Sequence, residues 1–160
     1  MRWLMHLLSP VIFWFAFALF RSSLLKRSER KHRFVMKVFR LAADNGSTRA
    51  LSVYGHLLHF RGEDVQNKIQ GAIYLQRAAD QGDMKAQYQM GRVFEDGFEH
   101  YFQPNAEKSY HYYAAAAGQG HQLAIRRLIE ANEKGELGIE VNEQEAERWS
   151  QALPDLPSAR

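Results

Sequence analysis

Small and apolar residues return along this chain at spacings of three and four, and glycine interrupts them periodically. The decapeptides LAADNGSTRA (41–50), RAADQGDMKA (77–86) and AAAGQGHQLA (115–124) begin 36 and then 38 residues apart. A period of about 20–50 residues marks stacked supersecondary units. Each copy sets alanines, which let helices pack closely, before Gly46, Gly82 or Gly120, the residue type that most readily takes the left-handed conformation ending a helix. The decapeptide therefore reads as a corner between two helices.

The ladder on either side of each corner predicts the helices themselves. Phe34, Val35, Val38, Phe39, Ala42 and Ala43 outline a capping helix over 34–46. A first unit, 50–85, runs through Ala50, Tyr54-Gly55, Leu58 and Gly62, and returns through Gly71, Tyr74, Leu75, Ala78 and Ala79. The second, 86–123, repeats it with Ala86, Met90-Gly91, Phe94 and Gly97, then Ser109, Tyr112, Tyr113, Ala116 and Ala117. A third, 124–153, continues through Leu128, Ala146 and Trp149 and fades at Pro154, leaving a tail over 154–160. The expected fold is all-α: a short α-solenoid of about three helical hairpins behind an N-terminal hydrophobic helix.

This ladder resembles the Sel1-like repeat family, relatives of the tetratricopeptide repeats. The matches are Ala86, Met90-Gly91, Gly97, Lys108, Tyr112-Tyr113, Ala116-Ala117 and Gln119-Gly120-His121, with Ala124 opening the next unit. Three departures are local: extra residues in the loop from Phe98 to Asn105, Gly71 where alanine is usual, and Ile129 in place of a glycine. The resemblance implies a repeat domain over residues 34–153 that binds other proteins through the concave face lined by its first helices.

Turning about 100° per residue from each opening alanine, the packing positions fall on one arc of the first helices and a second stripe falls opposite. That stripe comprises Ser52, His56 and His59; Tyr88, Arg92 and Glu95; and Arg126, Glu130 and Glu133. It is the expected partner-binding surface. Phe98 and Tyr101 are added as loop aromatics that can anchor a partner, whereas Phe102 replaces a loop valine and is expected inside.

Composition changes the picture chiefly at the N-terminus. Trp3 to Phe20 carries no formal charge over 18 residues, the lower end of what spans a bilayer. Residues 1–21 are therefore read as a transmembrane anchor and 22–33 as a basic juxtamembrane linker. Residues 3–20 would meet the membrane, and Arg21, Lys26, Arg27, Arg30, Lys31 and Arg33 its anionic lipids. Cations after the span place the repeats on the cytoplasmic side of a bacterial inner membrane. Two alternatives stand beside this reading: a signal cleaved after Ala18, releasing the chain to the periplasm, and a helix that lies on the membrane surface or packs on the repeats.

The remaining chemistry is mostly exclusion. The net charge of +3 conceals a basic N-terminal segment and an acidic remainder, so the pI of about 9.2 describes one segment and not a nucleic-acid-binding domain. No cysteine is present. His56 and His59 have a spacing that suits two imidazoles on one zinc ion, but no third ligand can be assigned. No G-x-S-x-G, phosphate-binding glycine loop or H-E-x-x-H occurs, so neither an enzyme nor a cofactor is expected. The functional expectation is a membrane-tethered scaffold for protein–protein interaction. Its alternatives are an exported repeat protein of envelope assembly and a structural subunit of a membrane complex.

Overall fold

A computed structural model describes residues 2–21 and 29–154. Its regular elements are α-helices: α1 (Arg2–Arg21), α2 (Glu29–Asp44), α3 (Thr48–Arg61), α4 (Val65–Asp80), α5 (Met84–Asp96), α6 (Ala106–Gly118), α7 (Gln122–Lys134) and α8 (Glu143–Ser150). The chain divides after Asp83 into two compact units.

The local chemistry that starts each helix is visible. Ser47, Asp64, Asn105, His121 and Asn142 cap α3, α4, α6, α7 and α8, each side chain accepting a hydrogen bond from a backbone N–H three residues on. The corners behave as the decapeptide predicts. Gly46, Gly82 and Gly120 have φ of 89°, 96° and 91°, the left-handed region that a side chain would strain.

In the first unit α1 packs on α2, α2 on α3, and α3 on α4. The α3–α4 pair closes on backbone rather than on side chains. A Cβ on Gly55 would stand 2.9 Å from the Leu75 nitrogen, and one on Gly71 would stand 2.3 Å from the His59 nitrogen. The unusual glycine at position 71 is therefore a steric requirement. Tyr54 and Tyr74 meet edge to face at 5.0 Å, and the Tyr74 hydroxyl donates to Asp44 at 2.8 Å. In the second unit α6 packs on both α5 and α7, and α7 on α8, around Tyr113, Ala116, Ala117, Ala124, Ile125 and Leu128. Gly91 again makes room: a Cβ there would lie 2.6 Å from the Tyr113 ring. Ile129, at the third unit's departure, packs against this core.

The N-terminal segment corrects the sequence reading. Among the described residues no helix is long and apolar enough to cross a membrane. Instead Phe13 and Ala16 are buried, Phe13 meets Phe39 at 5.9 Å, and the Ser9 hydroxyl donates to the Ala42 carbonyl at 2.8 Å. The helix packs on the repeats, one of the alternatives. The capping helix begins at Glu29, taking in residues 29–33 of the expected linker. Arg30 and Lys31 thus fall within α2, Arg33 is exposed on it, and Lys26 and Arg27 lie outside the described residues, as does the tail beyond Pro154.

Candidate functional site

The most heavily charged site lies in the second unit and centres on Arg127. The Gly120 corner and the His121 cap set the start of α7, and Arg127 follows on its second turn. His121 accepts from the Ala124 N–H through Nδ1 at 3.3 Å, and its ring stacks on Tyr88 at 4.3 Å. From there the Arg127 guanidinium reaches Glu95 near the end of α5. Nη2 lies 2.6 Å and Nε 3.0 Å from Glu95 Oε1, while the Tyr113 hydroxyl donates to Oε2 at 2.7 Å. On its other side Nη1 stands 2.7 Å from Glu136 Oε2, a charge pairing without a well-directed hydrogen bond, and 3.7 Å from Glu130. Lys134 completes the set at 2.6 Å from Glu130.

Carboxylates from α5, from α7 itself and from the loop after α7 therefore converge on one cation, whose rigid fork suits several carboxylates at once, while Tyr113 of α6 steadies Glu95. The electrostatics follow from this geometry. Burial pushes the Glu95 carboxyl up, but hydrogen bonds from Arg127 and Tyr113 outweigh it and hold the group below the usual range. Arg127 is raised by its hydrogen bond to Glu95, against burial. Burial, and then the Glu95 bond, push the Tyr113 hydroxyl far above its ordinary value. All three groups keep their neutral-pH charge states, so the cluster works as a fixed charge array and not as an acid–base pair.

Beside the array opens a cavity of about 770 Å³ lined by Glu95, Pro104, Ala106, Arg127, Glu130, Glu136 and Leu137. A second, of about 320 Å³, lies between α7 and α8 and is lined by Ile129, Glu133, Glu143, Ala146, Glu147 and Ser150. Carboxylates outnumber cations in both linings. Among the described residues no group of three or more His, Asp or Glu is placed to hold a metal ion.

The expected stripe is only partly a surface. Ser52 is buried and donates to Asp83 Oδ1 at 2.9 Å, because the next corner folds back over it. His56 and His59 turn to different carbonyls, with Nδ1 at 2.8 Å from the Ser52 oxygen and 3.1 Å from the Lys68 oxygen respectively. Tyr88 is half-buried under His121, and Glu95 is half-buried against Arg127. Arg92, Arg126 and Glu133 are exposed, and Glu130 joins the charge array. In the loop, Phe98 and Phe102 exchange backbone hydrogen bonds of 2.8 and 3.0 Å, with Glu99 and His100 at positive φ. This small hairpin buries Phe102, half-buries Phe98 and leaves Tyr101 exposed at its tip. Arg127 and Glu136 were missed: one lies off the stripe and the other beyond the helix. The only local signal was the i, i+3 spacing of Arg127 and Glu130.

Comparison with known proteins matches the Sel1 repeat to residues 48–83, 85–121 and 122–152. No curated protein sequence matches. Among solved structures, a Sel1 repeat protein from Oxalobacter formigenes is similar over 89% of this chain and 56% of its own, with 23% identity and a TM-score of 0.73. A protective antigen of uropathogenic Escherichia coli, described as displaying an SLR fold, is similar over 74% of this chain and 25% of its own, with 23% identity and a TM-score of 0.63. The chain thus spans about half of the first and a quarter of the second.

Proposed function

Because this chain belongs to the Sel1 repeat family, we propose that it is a protein–protein interaction module whose second unit takes a basic segment of a partner polypeptide. One observation carries the reading: Glu95, Glu130 and Glu136 meet a single guanidinium at the wall of an open cleft. The array is already ordered before a partner arrives, so little side-chain freedom is left to lose on binding. Residues 84–160 carry 8 Lys or Arg and 12 Asp or Glu, a net of −4, which steers a basic segment toward this unit. The neighbouring carboxylates Glu133 and Glu143 extend the acidic surface to the second cavity. Such a module acts by holding partners together, and no step of covalent chemistry is required of it.

Crosslinking mass spectrometry from a native extract tests this with the full chain and a Glu133→Lys, Glu143→Lys, Glu147→Lys variant. These side chains are exposed, so the substitutions leave the core alone. Capture by the wild type of a partner crosslinked through lysines near α7 and α8, and its loss in the variant, is the expected result. An identical partner set for both proteins would remove the acidic surface as the docking site.

A further inference from the structure

Packing α1 on the repeats accounts for only one of its faces. Ser9, Phe13 and Ala16 turn inward. Leu4, Leu7, Leu8, Val11, Trp14 and Phe15 occupy an arc of about 120° on the opposite side, and each is between 43% and 62% exposed. A helix that is apolar all round needs a second apolar neighbour, and a continuous exposed stripe of this kind marks an interaction surface.

The cations beside the stripe identify what covers it. The Arg49 guanidinium of α3 lies 5.3 Å from the Trp14 ring centroid, and that of Arg21 lies 5.9 Å from Phe17. Both arginines are exposed, as are Arg33 and Lys37 on α2, and among the described residues no carboxylate pairs with any of the four. Over residues 1–83, 13 Lys or Arg face 6 Asp or Glu, a net of +7. A second copy of this chain would set one +7 unit against another, which opposes self-association. An anionic phospholipid surface supplies both missing partners, acyl chains for Leu, Val, Trp and Phe and phosphates for the guanidiniums. We propose that α1 lies in the plane of an anionic membrane surface, its outer face sunk among the acyl chains and Arg21 and Arg49 at the phosphates. The helix does not cross the bilayer, and its inner face stays on α2. The proposal is independent of the acidic surface on the second unit.

The test is sedimentation of the full chain with vesicles of pure phosphatidylcholine and of phosphatidylcholine mixed with phosphatidylglycerol, whose anionic headgroup gives the surface a negative potential. Binding to the anionic vesicles and its loss at high salt are expected. Each neutralised arginine should weaken partition about fivefold, so Arg21→Gln with Arg49→Gln should weaken it about 25-fold. Val11→Asp should abolish it with the circular dichroism spectrum unchanged, since that side chain packs against nothing inside. Brominated lipids should quench Trp14 from a depth of about 5–10 Å below the headgroups, read as the difference from Trp14→Phe. Absence of sedimentation, equal binding to neutral vesicles, or quenching from the bilayer centre would each overturn the proposal. So would a dimer in ultracentrifugation that Val11→Asp converts to monomer, which would assign the stripe to a second copy.

Discussion

Glu95 joins three elements through one carboxylate: its own helix α5, Tyr113 of α6 and Arg127 of α7. Removing the Tyr113 hydroxyl with Tyr113→Phe should cost about 1.5–3 kcal/mol, the range for a hydrogen bond to a charged group, measured by urea denaturation. The pH dependence has a definite sign. Glu95 is held below the usual carboxylate range, so the unfolded chain binds its proton more readily than the native one. The stabilisation is complete above the unfolded pKa of about 4.3 and is lost as pH falls through the depressed native value. His121 runs the same way, since burial and then Lys85 lower it from 6.5, and its neutral Nδ1 caps α7. That contribution is complete above pH 6.5 and fades below it. Accordingly Glu95→Gln should flatten the stability profile between about pH 5 and 3 and His121→Asn, which keeps a capping acceptor, between about pH 7 and 5. Profiles parallel to wild type in both windows would dissociate these groups from the acid response. The sequence offered Glu95 as a stripe residue, His121 as part of a repeat corner and the ring of Tyr113 as a packing residue, but not the bonds that join Glu95 to Tyr113 and Arg127. The Tyr113 hydroxyl's partner lies 18 residues away and the cation 32 residues beyond Glu95, and helical periodicity does not choose between charges at such separations.

For the helices, the informative residues are those without side chains. Alanine exceeds glycine in helix propensity by about 1 kcal/mol, so Gly→Ala inside a helix is stabilising unless space forbids it. At Gly71 it does. The nearest atom to the added Cβ is backbone nitrogen of His59 at 2.3 Å, which no rotamer change can move. We expect Gly71→Ala to lose up to about 2 kcal/mol net, an overpacking cost of about 1–3 kcal/mol less that gain of about 1 kcal/mol, toward the upper end because the clash is with backbone. Gly118, at the end of α6, has nothing within 4 Å and no positive φ, so Gly118→Ala should raise stability by about 0.5–1 kcal/mol. Equal effects at the two sites, read by thermal and urea unfolding, would show that the α3–α4 approach is not limiting. The corners were legible because glycine is required by the backbone itself, whereas the caps Ser47, Asp64, Asn105 and Asn142 that set the helix starts are identified only by the structure. The hairpin at Phe98–Phe102 was not legible, since Glu99 and His100 take positive φ without being glycine.

Across the whole molecule the decisive question is whether α1 is an appendage or part of the first unit. An apolar run before a basic one has the composition of an anchor, and composition does not distinguish a helix buried in lipid from one buried on protein. The distinguishing residues are Ser9, whose hydroxyl finds the Ala42 carbonyl, and Phe13, buried between Phe17 at 5.7 Å and Phe39 at 5.9 Å. If α1 is integral, truncating Phe13 leaves a cavity against α2, and Phe13→Ala should cost about 3–5 kcal/mol. Leu7→Ala, on the outer face, should stay within about 0.5 kcal/mol. Hydrogen exchange resolves where the loss falls: amides of α2 and α3 should lose protection in Phe13→Ala, while those of α6 and α7 keep theirs, because the first unit has its own core. An appendage would give the opposite pattern, with both variants silent and α2 as protected as before. That outcome would return the N-terminal helix to a role outside the folded repeats.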